Sequence, residues 1–491
     1  MIHTAHGWWL REAGPVAPAP ALAGDERADV VVVGGGYVGL WTAWQLRERG
    51  ARVAVLEDAL CGHGPSGRNG GFCETLWTLL PRLRERFGAE RALAACRASS
   101  ESVAAIGAWC EAQGVDAWFT RAGYMMVSTA AAHDAVIDRV LAVAPGDRVV
   151  ALDGDAVRAR CLSERFRRGL LVMDDATVQP ARLALGLRAR VVERGAAVFE
   201  RSRVRALRVD GGGVVAETAG GRVRAGAAVL AVNAAARALP PLRSRLAVTS
   251  SHVVLTEPVG DVLEEIGWTG GECITDARTF VHYFRTTRDG RIAFGWGGGR
   301  PVVGARLNGR AEVDAAVVEE TRRHLFETFP ALAGRRITHA WGGPIDMTAS
   351  YTPFFQTLAP GNVFAGLGFS GHGLAATKLG GRTLASLALG STDAWSTLPV
   401  VGPPVGHAPP EPLRWPLVRA AVWALESGDR AEVAGRRRGL VRAAIGSAPD
   451  ANRARLRARR AGLGRVPTAR SGSARRGDGE NAGLHRPRLE R

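Results

Sequence analysis

The glycine pattern that follows a short apolar run near the N-terminus constrains the fold more than any other part of the sequence. Residues 29–33 (DVVVV) are typical of a strand that is buried on both faces of a parallel sheet. Three glycines follow in the spacing G-x-G-x-x-G, namely Gly34, Gly36 and Gly39. Apolar residues then recur at helical spacing up to Gly50, and residues 52–56 form a second apolar run that ends at Glu57. This order predicts a β-α-β unit.

The predicted unit has the features of a dinucleotide-binding site. The first glycine permits a tight turn, the second lets a pyrophosphate approach the backbone, and the third lets helix and strand pack closely. The N-terminus of the helix then faces the phosphates with its partial positive charge. Glu57 lies 18 residues after Gly39, where a carboxylate can accept hydrogen bonds from ribose hydroxyls. The alternative is a glycine-rich turn that binds no ligand.

A second glycine-rich segment, residues 61–71 (CGHGPSGRNGG), bears on which dinucleotide binds. It places Ser66, Arg68 and Asn69 among glycines. A second close approach of the backbone so soon after the first indicates a cofactor that is threaded through the protein, which favours FAD over NAD. A surface glycine loop is the alternative interpretation.

A third glycine-rich segment, residues 366–378 (GLGFSGHGLAATK), lies far down the chain. Residues 362–367 predict a buried strand, residues 368–373 a turn, and Leu374 the start of an apolar helix. The N-terminus of such a helix can offer N–H groups to a cofactor ring on which negative charge develops. Lys378 is the only lysine in the sequence and lies more than one turn into this helix. A catalytic charge, a helical surface position and a contact with the nucleotide are all compatible with that place.

The combination of VVVGGGYVGLWTAWQL, GHGPSGRNGG and GFSGHG resembles the FAD-dependent amine and amino-acid oxidases of the D-amino-acid oxidase superfamily. That superfamily includes glycine and sarcosine oxidases, and the nearest resemblance is to gamma-glutamylputrescine oxidase-like proteins. The resemblance covers roughly residues 8–430 and includes WGGP at residues 341–344. The basic C-terminal tail lies outside it.

The resemblance implies a set of FAD-binding residues. Those for the ADP half are Gly34, Gly36, Gly39 and Glu57, with Val204 at the adenine and Ala231 and Asn233 at the strand end that closes over the nucleotide. Those from the pyrophosphate toward the flavin are Ser66, Arg68, Asn69, Gly70 and Gly71. The helix N-terminus of the third segment adds Gly371, His372, Gly373 and Leu374 as candidates for the N1 and C2=O edge of the flavin, with His372 facing either the flavin or the substrate cavity. No cysteine or histidine clearly matches a covalent attachment site, so we expect FAD to be bound non-covalently. No residue set indicates a metal site.

The resemblance also implies the reaction. An amine or amino acid would transfer a hydride to FAD, the imine would be hydrolysed, and O2 would reoxidise the flavin and give H2O2. Strand alternation around the turn TTRDGR places Tyr283 and Arg285 on one face, and the resemblance makes them a Tyr-x-Arg pair of the substrate sheet, with Arg285 available for a carboxylate. The catalytic candidates are Tyr283, Arg285, His372 and Lys378.

Other function classes remain open from the sequence. One is an FAD amine dehydrogenase that uses another electron acceptor, and a second is an NAD(P)-dependent dehydrogenase with a similar first motif. A third is a non-enzymatic flavin-binding or nucleic-acid-associated protein in which the basic tail is the working part.

The expected fold class is α/β, and α+β overall, with a Rossmann-like FAD-binding domain and a substrate domain built on an antiparallel sheet. The FAD-binding domain is predicted from three segments, residues 28–82, 150–238 and 338–398. The substrate domain is predicted from residues 83–149 and 239–337. A C-terminal arm over residues 399–435 follows, which a proline-rich stretch over 401–416 predicts to be extended at its start, and then a disordered basic tail over 436–491.

The charge distribution argues against a nucleic-acid-binding protein. Residues 436–491 hold sixteen arginines and four acids, which accounts for +12 of the net charge of +17. An arginine-rich, aromatic-poor segment of this kind is usually a solvated appendage. The six cysteines show no CxxC pair, and no apolar run is long enough to span a bilayer. These features predict a cytoplasmic protein with a small-molecule substrate and no membrane partner.

Overall fold

The structure is a computed structural model, and it describes residues 1–436 except residues 5, 303–306, 308, 359 and 407–412. The predicted disorder of the basic tail concerns residues that, apart from Arg436, lie outside the described ones. Within the described residues, no helix is both long enough and apolar enough to cross a lipid bilayer.

The strands of the first half of the described chain are β1 (Ile2–His3), β2 (Gly24–Arg27), β3 (Val30–Val33), β4 (Val53–Leu56), β5 (Phe72–Cys73), β6 (Tyr124–Ser128), β7 (Val149–Leu152), β8 (Arg168–Val172), β9 (Ala176–Thr177) and β10 (Ala197–Phe199). Those of the second half are β11 (Ala206–Asp210), β12 (Gly213–Glu217), β13 (Gly221–Ala225), β14 (Ala227–Leu230), β15 (Ala247–Thr256), β16 (Cys273–Asp276), β17 (His282–Thr286), β18 (Ile292–Trp296), β19 (Ile337–Met347), β20 (Phe354–Leu358) and β21 (Val363–Leu367).

The α-helices of the described chain are α1 (Gly7–Ala13), α2 (Tyr37–Glu48), α3 (Leu80–Phe87), α4 (Ala89–Ala112), α5 (Ala131–Leu141), α6 (Gly154–Arg158), α7 (Pro180–Glu193), α8 (Gly260–Glu265), α9 (Ala315–Thr328), α10 (Leu374–Ala388) and α11 (Arg414–Val433).

A six-stranded sheet with the order β10-β4-β3-β14-β21-β20 contains the predicted β-α-β unit. All neighbouring strands are parallel except β20 and β21. In the register of the sheet, Val33 at the end of β3 pairs with both Leu56 and Leu230. Because parallel strands end at the same edge, the turns after β3, β14 and β21 lie side by side, and helices α2 and α10 both start at that edge.

A nine-stranded sheet with the order β1-β19-β15-β18-β17-β16-β6-β8-β7 forms the second layer and is largely antiparallel. The turn TTRDGR joins β17 and β18 in a hairpin as predicted, and β12 and β13 form a second antiparallel pair. One face of the large sheet packs an aromatic core in which Phe284 stacks on Phe294. The predicted mixed α/β architecture is therefore confirmed.

The prediction of an extended arm over residues 401–416 is wrong at its end. Residues 407–412 lie outside the described residues, but Arg414 begins the helix α11, which is 20 residues long. The prolines of this stretch predicted a segment without regular secondary structure. Pro416, however, lies in the first turn of α11. A helix tolerates proline there because the N–H groups of its first turn have no partner within the helix.

Candidate active site

A cavity of about 770 Å³ runs between the two large sheets. One end is lined by residues that follow β3, β4 and β14, and the other end is lined by side chains of the nine-stranded sheet. Its volume is within the range of about 300–1,000 Å³ that is usual for ligand and cofactor sites. Most of the residues that the sequence predicted for the site line this cavity, namely Gly34, Gly36, Glu57, Ser66, Arg68, Asn69, Gly70, Val204, Ala231, Asn233, Tyr283, Gly371, His372, Gly373 and Leu374.

The first glycine turn leaves no space for larger residues. Gly34 has a φ of 110°, and a Cβ atom there would lie 2.4 Å from the carbonyl oxygen of Ala231. A Cβ atom at Gly39 would lie 1.9 Å from the carbonyl oxygen of Gly34, although Gly39 itself does not line the cavity. Gly36 is the N-cap of α2 and does line it. The turn therefore opens the helix N-terminus and backbone toward the cavity, where a pyrophosphate can bind.

Glu57 follows β4, and its carboxylate bonds both to the turn after β3 and to the loop that follows Glu57 itself. Its Oε2 atom accepts a hydrogen bond from the Gly35 N–H at 2.6 Å, and its Oε1 atom accepts one from the Ala59 N–H at 2.9 Å. Burial raises the pKa of Glu57. Glu57 lines the cavity together with Val204.

The second glycine segment lies against the first. Ser66 Oγ accepts a hydrogen bond from the Tyr37 N–H of α2 at 2.9 Å. Asn69 closes its own turn, because its Oδ1 accepts from the Gly71 N–H at 2.8 Å and its Nδ2 donates to the carbonyl of Ser66 at 2.8 Å. The Arg68 guanidinium lies 3.5 Å from the Glu312 carboxylate. Hydrogen bonds hold the side chains of Ser66 and Asn69 in place, and an ion pair holds that of Arg68.

The third glycine segment forms the start of α10, with Gly373 as its N-cap. Asp346, which the sequence analysis did not select, fixes the turn before it. Its carboxylate accepts hydrogen bonds from the N–H groups of Gly368 and Phe369 and from the Asn233 side chain. Burial raises the pKa of Asp346 to about 7. The only sequence signal was that Asp346 is the single acid of the strand β19.

Polar side chains cluster at the end of the cavity formed by the nine-stranded sheet. The Tyr283 hydroxyl lies 2.8 Å from Ser251 Oγ, and burial raises the pKa of Tyr283 to about 12. The Tyr124 hydroxyl forms a hydrogen bond with Thr275 on the neighbouring strand. Phe72 contacts both tyrosine rings edge-on, with centroids 5.8 Å from Tyr283 and 6.5 Å from Tyr124.

An acid–histidine pair belongs to the same end. His372 Nδ1 lies 3.0 Å from Glu74 Oε2, and both residues line the cavity. Because an ionised carboxylate only accepts hydrogen bonds, the ring donates through Nδ1 and keeps Nε2 for other partners. The sequence analysis selected His372 and missed Glu74, which lies directly after the strand β5 without a motif of its own.

Four predicted residues do not line the cavity, namely Gly39, Gly71, Arg285 and Lys378. The Arg285 side chain is buried and donates hydrogen bonds to the carbonyls of Gly71 and Val178. Burial lowers the pKa of Arg285 to about 10. The structure thus places its guanidinium behind the glycine segment, where the backbone carbonyls occupy it. A Cβ atom at Gly71 would lie 2.2 Å from the Val178 carbonyl oxygen, so this glycine serves the packing of the loop.

Lys378 lies inside the helical layer. Its side chain is 4% exposed, and Nζ lies 3.8 Å from the centroid of the Trp41 ring. Burial lowers the pKa of Lys378 to about 7. Lys378 therefore lies beside Trp41 within the helical layer and does not line the cavity.

The residues present fit a flavin dinucleotide. A glycine cradle that a Cβ atom would fill lies at one end of the cavity, two helix N-termini line it, and a polar pocket closes the other end. The second helix N-terminus, at Gly373, is the feature that extends the site toward a flavin ring.

Comparisons with known proteins agree with this geometry. Residues 29–387 match the family model DAO, described as FAD dependent oxidoreductase. The chain is 30% identical to the gamma-glutamylputrescine oxidoreductase of Escherichia coli (strain K12) over 415 residues, which covers 81% of this chain and 93% of that protein. It is also 30% identical to the probable oxidoreductase OrdL of Rhizobium meliloti (strain 1021), covering 78% of this chain and 88% of that protein.

Solved structures show the same fold. Glycine oxidase from Geobacillus kaustophilus superposes with a TM-score of 0.62 at 21% identity, over 75% of this chain and 96% of that one. NikD, described as an unusual amino acid oxidase, gives a TM-score of 0.62 at 21% identity, over 77% of this chain and 98% of that one. The match over residues 29–387 covers most of the sequence, so the chain belongs to the DAO family of FAD-dependent oxidoreductases and FAD is its cofactor.

Proposed function

We propose that this protein oxidises the C–N bond of an amine to an imine, which water then hydrolyses, and that O2 is the final electron acceptor and yields H2O2. The proposal rests on one observation above all: a single cavity joins the nucleotide cradle at Gly34 to the polar pocket at Tyr283 and His372. FAD supplies the two-electron acceptor in this reaction, and the chain supplies position, charge and proton handling. The name of the gamma-glutamylputrescine oxidoreductase supports an amine substrate at the level of 30% identity.

We propose that the predicted cofactor-binding residues hold FAD without a covalent bond. The start of α10 presents backbone N–H groups and about half a positive charge to the cavity, which suits the edge of the ring that becomes negative on reduction. The nucleophilic side chains of the early glycine segment, Cys61 and His63, do not line the cavity, and burial raises the pKa of the Cys61 thiol. Acid precipitation is therefore expected to release the yellow chromophore into the supernatant.

The pair of Glu74 and His372 is the group best suited to receive the substrate nitrogen. A carboxylate next to the cavity attracts an ammonium group, and the His372 ring can take a proton so that the amine reacts in its neutral form. Tyr283 and Tyr124 border the same pocket and can orient the carbon chain.

The charges of the cavity favour an amine without a carboxylate beside the reacting carbon. Among the described residues, three arginines line the cavity: Arg203 and Arg205 flank Val204 at the nucleotide end, and Arg68 lies against Glu312. Arg285, which the sequence suggested for a substrate carboxylate, is bonded to backbone carbonyls. Glu74 at the polar end would repel an anionic group.

A substrate screen tests the function. Purified protein is incubated with putrescine, gamma-glutamylputrescine, glycine and sarcosine, and both H2O2 release and reduction of an artificial dye are followed. The proposal expects turnover of the first two and release of H2O2. Turnover of glycine and sarcosine alone would contradict the substrate class, and dye reduction without H2O2 would show a dehydrogenase with another acceptor.

A further inference from the structure

The helix α11 lies outside residues 29–387, which the family model matches, yet it contacts the wall of the cavity. Asp429, near the end of α11, is buried, with 6% of its surface exposed. Its Oδ1 atom accepts a hydrogen bond from the Thr279 N–H at 3.1 Å, and its Oδ2 atom accepts one from the Phe280 N–H at 2.9 Å. The Asp429 carboxylate thus accepts hydrogen bonds from two consecutive backbone N–H groups.

These two N–H groups belong to the loop of residues 277–281, which joins β16 to β17. Thr279, Phe280 and Val281 line the cavity on the side where Tyr283 and Thr275 lie. Phe280 is half-buried at this wall, so a small shift of the loop changes the space that is available to a ligand.

The base of the loop is fixed by its own hairpin. Asp276 accepts hydrogen bonds from the His282 N–H at 2.9 Å and from His282 Nδ1 at 2.6 Å, and the Val281 carbonyl accepts one from the Gly297 N–H at 2.9 Å. The N–H groups at the tip, by contrast, bond to a carboxylate that the hairpin does not supply. The hydrogen bonds of the Thr279 and Phe280 N–H groups therefore depend on α11, whereas Arg278 bonds to Asp276 within the hairpin.

The helix α11 is itself held at both ends. Arg414, at its start, donates a hydrogen bond to the Arg243 carbonyl at 3.2 Å. Glu432, near its end, lies 3.6 Å from Nε2 of His133 on α5. Asp429 lies less than one turn before Glu432, so α11 connects the loop to α5.

We propose that Asp429 is a positioning residue through which α11 holds loop 277–281 against the substrate end of the cavity. The inference rests on the proposed function only in taking that end as the place where substrate binds. Loss of the carboxylate would free the two N–H groups and let Phe280 move, which weakens substrate binding and leaves FAD in place because the loop belongs to the nine-stranded sheet and the glycine cradle to the six-stranded sheet.

The test compares three full-length holoproteins, Asp429→Ala, the milder Asp429→Asn, and Glu426→Gln as a matched control that alters an acid of the same helix whose ion pair is with Arg430 of α11 itself. Hydrogen exchange of the peptide that contains Thr279 and Phe280 is measured first, since it requires no turnover. We expect exchange at least about tenfold faster in Asp429→Ala, a smaller rise in Asp429→Asn, and none in Glu426→Gln.

Kinetics with gamma-glutamylputrescine then separate positioning from general damage. The expected result is a KM raised about tenfold, a kcat changed less than about twofold, and an unchanged ratio of flavin to protein. Exchange and KM equal to wild type in both Asp429 variants would overturn the proposal, as would a parallel loss of FAD. If the wild type does not oxidise this amine, the proposed function is wrong, while the exchange result still decides whether α11 holds the loop.

Discussion

Gly381 of α10 packs directly against Trp41 of α2, and a Cβ atom at Gly381 would lie 2.5 Å from the Trp41 Cβ. This contact allows the two helices to run close together from the edge of the six-stranded sheet. Their N-termini consequently reach the same cavity, one beside the nucleotide cradle and the other beside His372. A glycine in the middle of a helix thus allows two helix N-termini to reach one cavity.

The first prediction concerns this contact. Gly381→Ala is expected to push α10 away from α2, because the new methyl group meets both the Trp41 side chain and the Thr42 backbone. We expect a loss of about 2 kcal/mol in the free energy of unfolding and weaker retention of FAD. Thermal unfolding and the ratio of flavin to protein after dialysis measure the two effects. Gly146→Ala is the control, because a Cβ atom at Gly146 meets nothing within 4 Å; equal behaviour of both variants would disprove the packing argument.

The second prediction separates two roles for Arg285. Because its guanidinium bonds to the carbonyls of Gly71 and Val178, Arg285→Met is expected to leave both without this donor. The expected cost is about 3 kcal/mol of stability, together with loss of FAD as the glycine loop loosens. Chemical denaturation and flavin content are the measurements. A rise in KM for an acidic amine only, with stability and FAD content unchanged, would instead show that Arg285 binds a substrate carboxylate.

The parts of the fold that the sequence predicted correctly are those with a local cause. The turns at Gly34 and after β21 are read from glycine spacing, because a Cβ atom there collides with neighbouring backbone or side chains. The hairpin of β17 and β18 follows from an Asp-Gly turn between alternating strands. Each of these sequence patterns lies within about ten residues of the turn or hairpin that it predicts.

The contacts that the sequence analysis missed join distant parts of the chain. Glu74 and His372 are 298 residues apart, so no spacing pattern connects them. The bonds of Asp346 to Gly368 and Phe369 likewise arise only when β19 and the start of α10 meet. Strand alternation gave the face on which Arg285 lies, but not that its guanidinium bonds to backbone carbonyls. The catalytic roles of Tyr283, Arg285, His372 and Lys378 stay predictions.

The third prediction tests Glu74 as the acid that receives the substrate amine. Glu74→Gln keeps the shape of the side chain and removes its negative charge next to His372. We expect KM for putrescine to rise about tenfold, which corresponds to about 1.4 kcal/mol of lost attraction, with FAD content unchanged. Steady-state kinetics at several salt concentrations measure this effect. Glu90→Gln, an exposed acid on α4, serves as the control; an unchanged KM in Glu74→Gln would remove the proposed role.

The last prediction concerns the buried charge of Lys378. Burial lowers its pKa from 10.5 to about 7, so between these values the unfolded chain binds more protons than the folded one. Stability must then rise with pH across this window, by at most about 1.4 kcal/mol per pH unit from this group. Below pH 7 Lys378 is charged in both the folded and the unfolded chain, so the folded state bears the full free-energy cost of a buried charge. Above pH 10.5 the lysine is neutral in both states, and this cost disappears.

Lys378→Met removes this titration and keeps a side chain of similar length beside Trp41. Denaturant unfolding at pH 6, 7.5 and 9 is expected to show the variant more stable than wild type at pH 6, with a difference that shrinks as pH rises. Lys378→Arg is the matched comparison, because its charge does not titrate in this range and the destabilisation should persist at pH 9. Parallel stability curves for wild type and Lys378→Met would contradict a lowered pKa, since a lysine that stays charged throughout gives no pH-dependent difference.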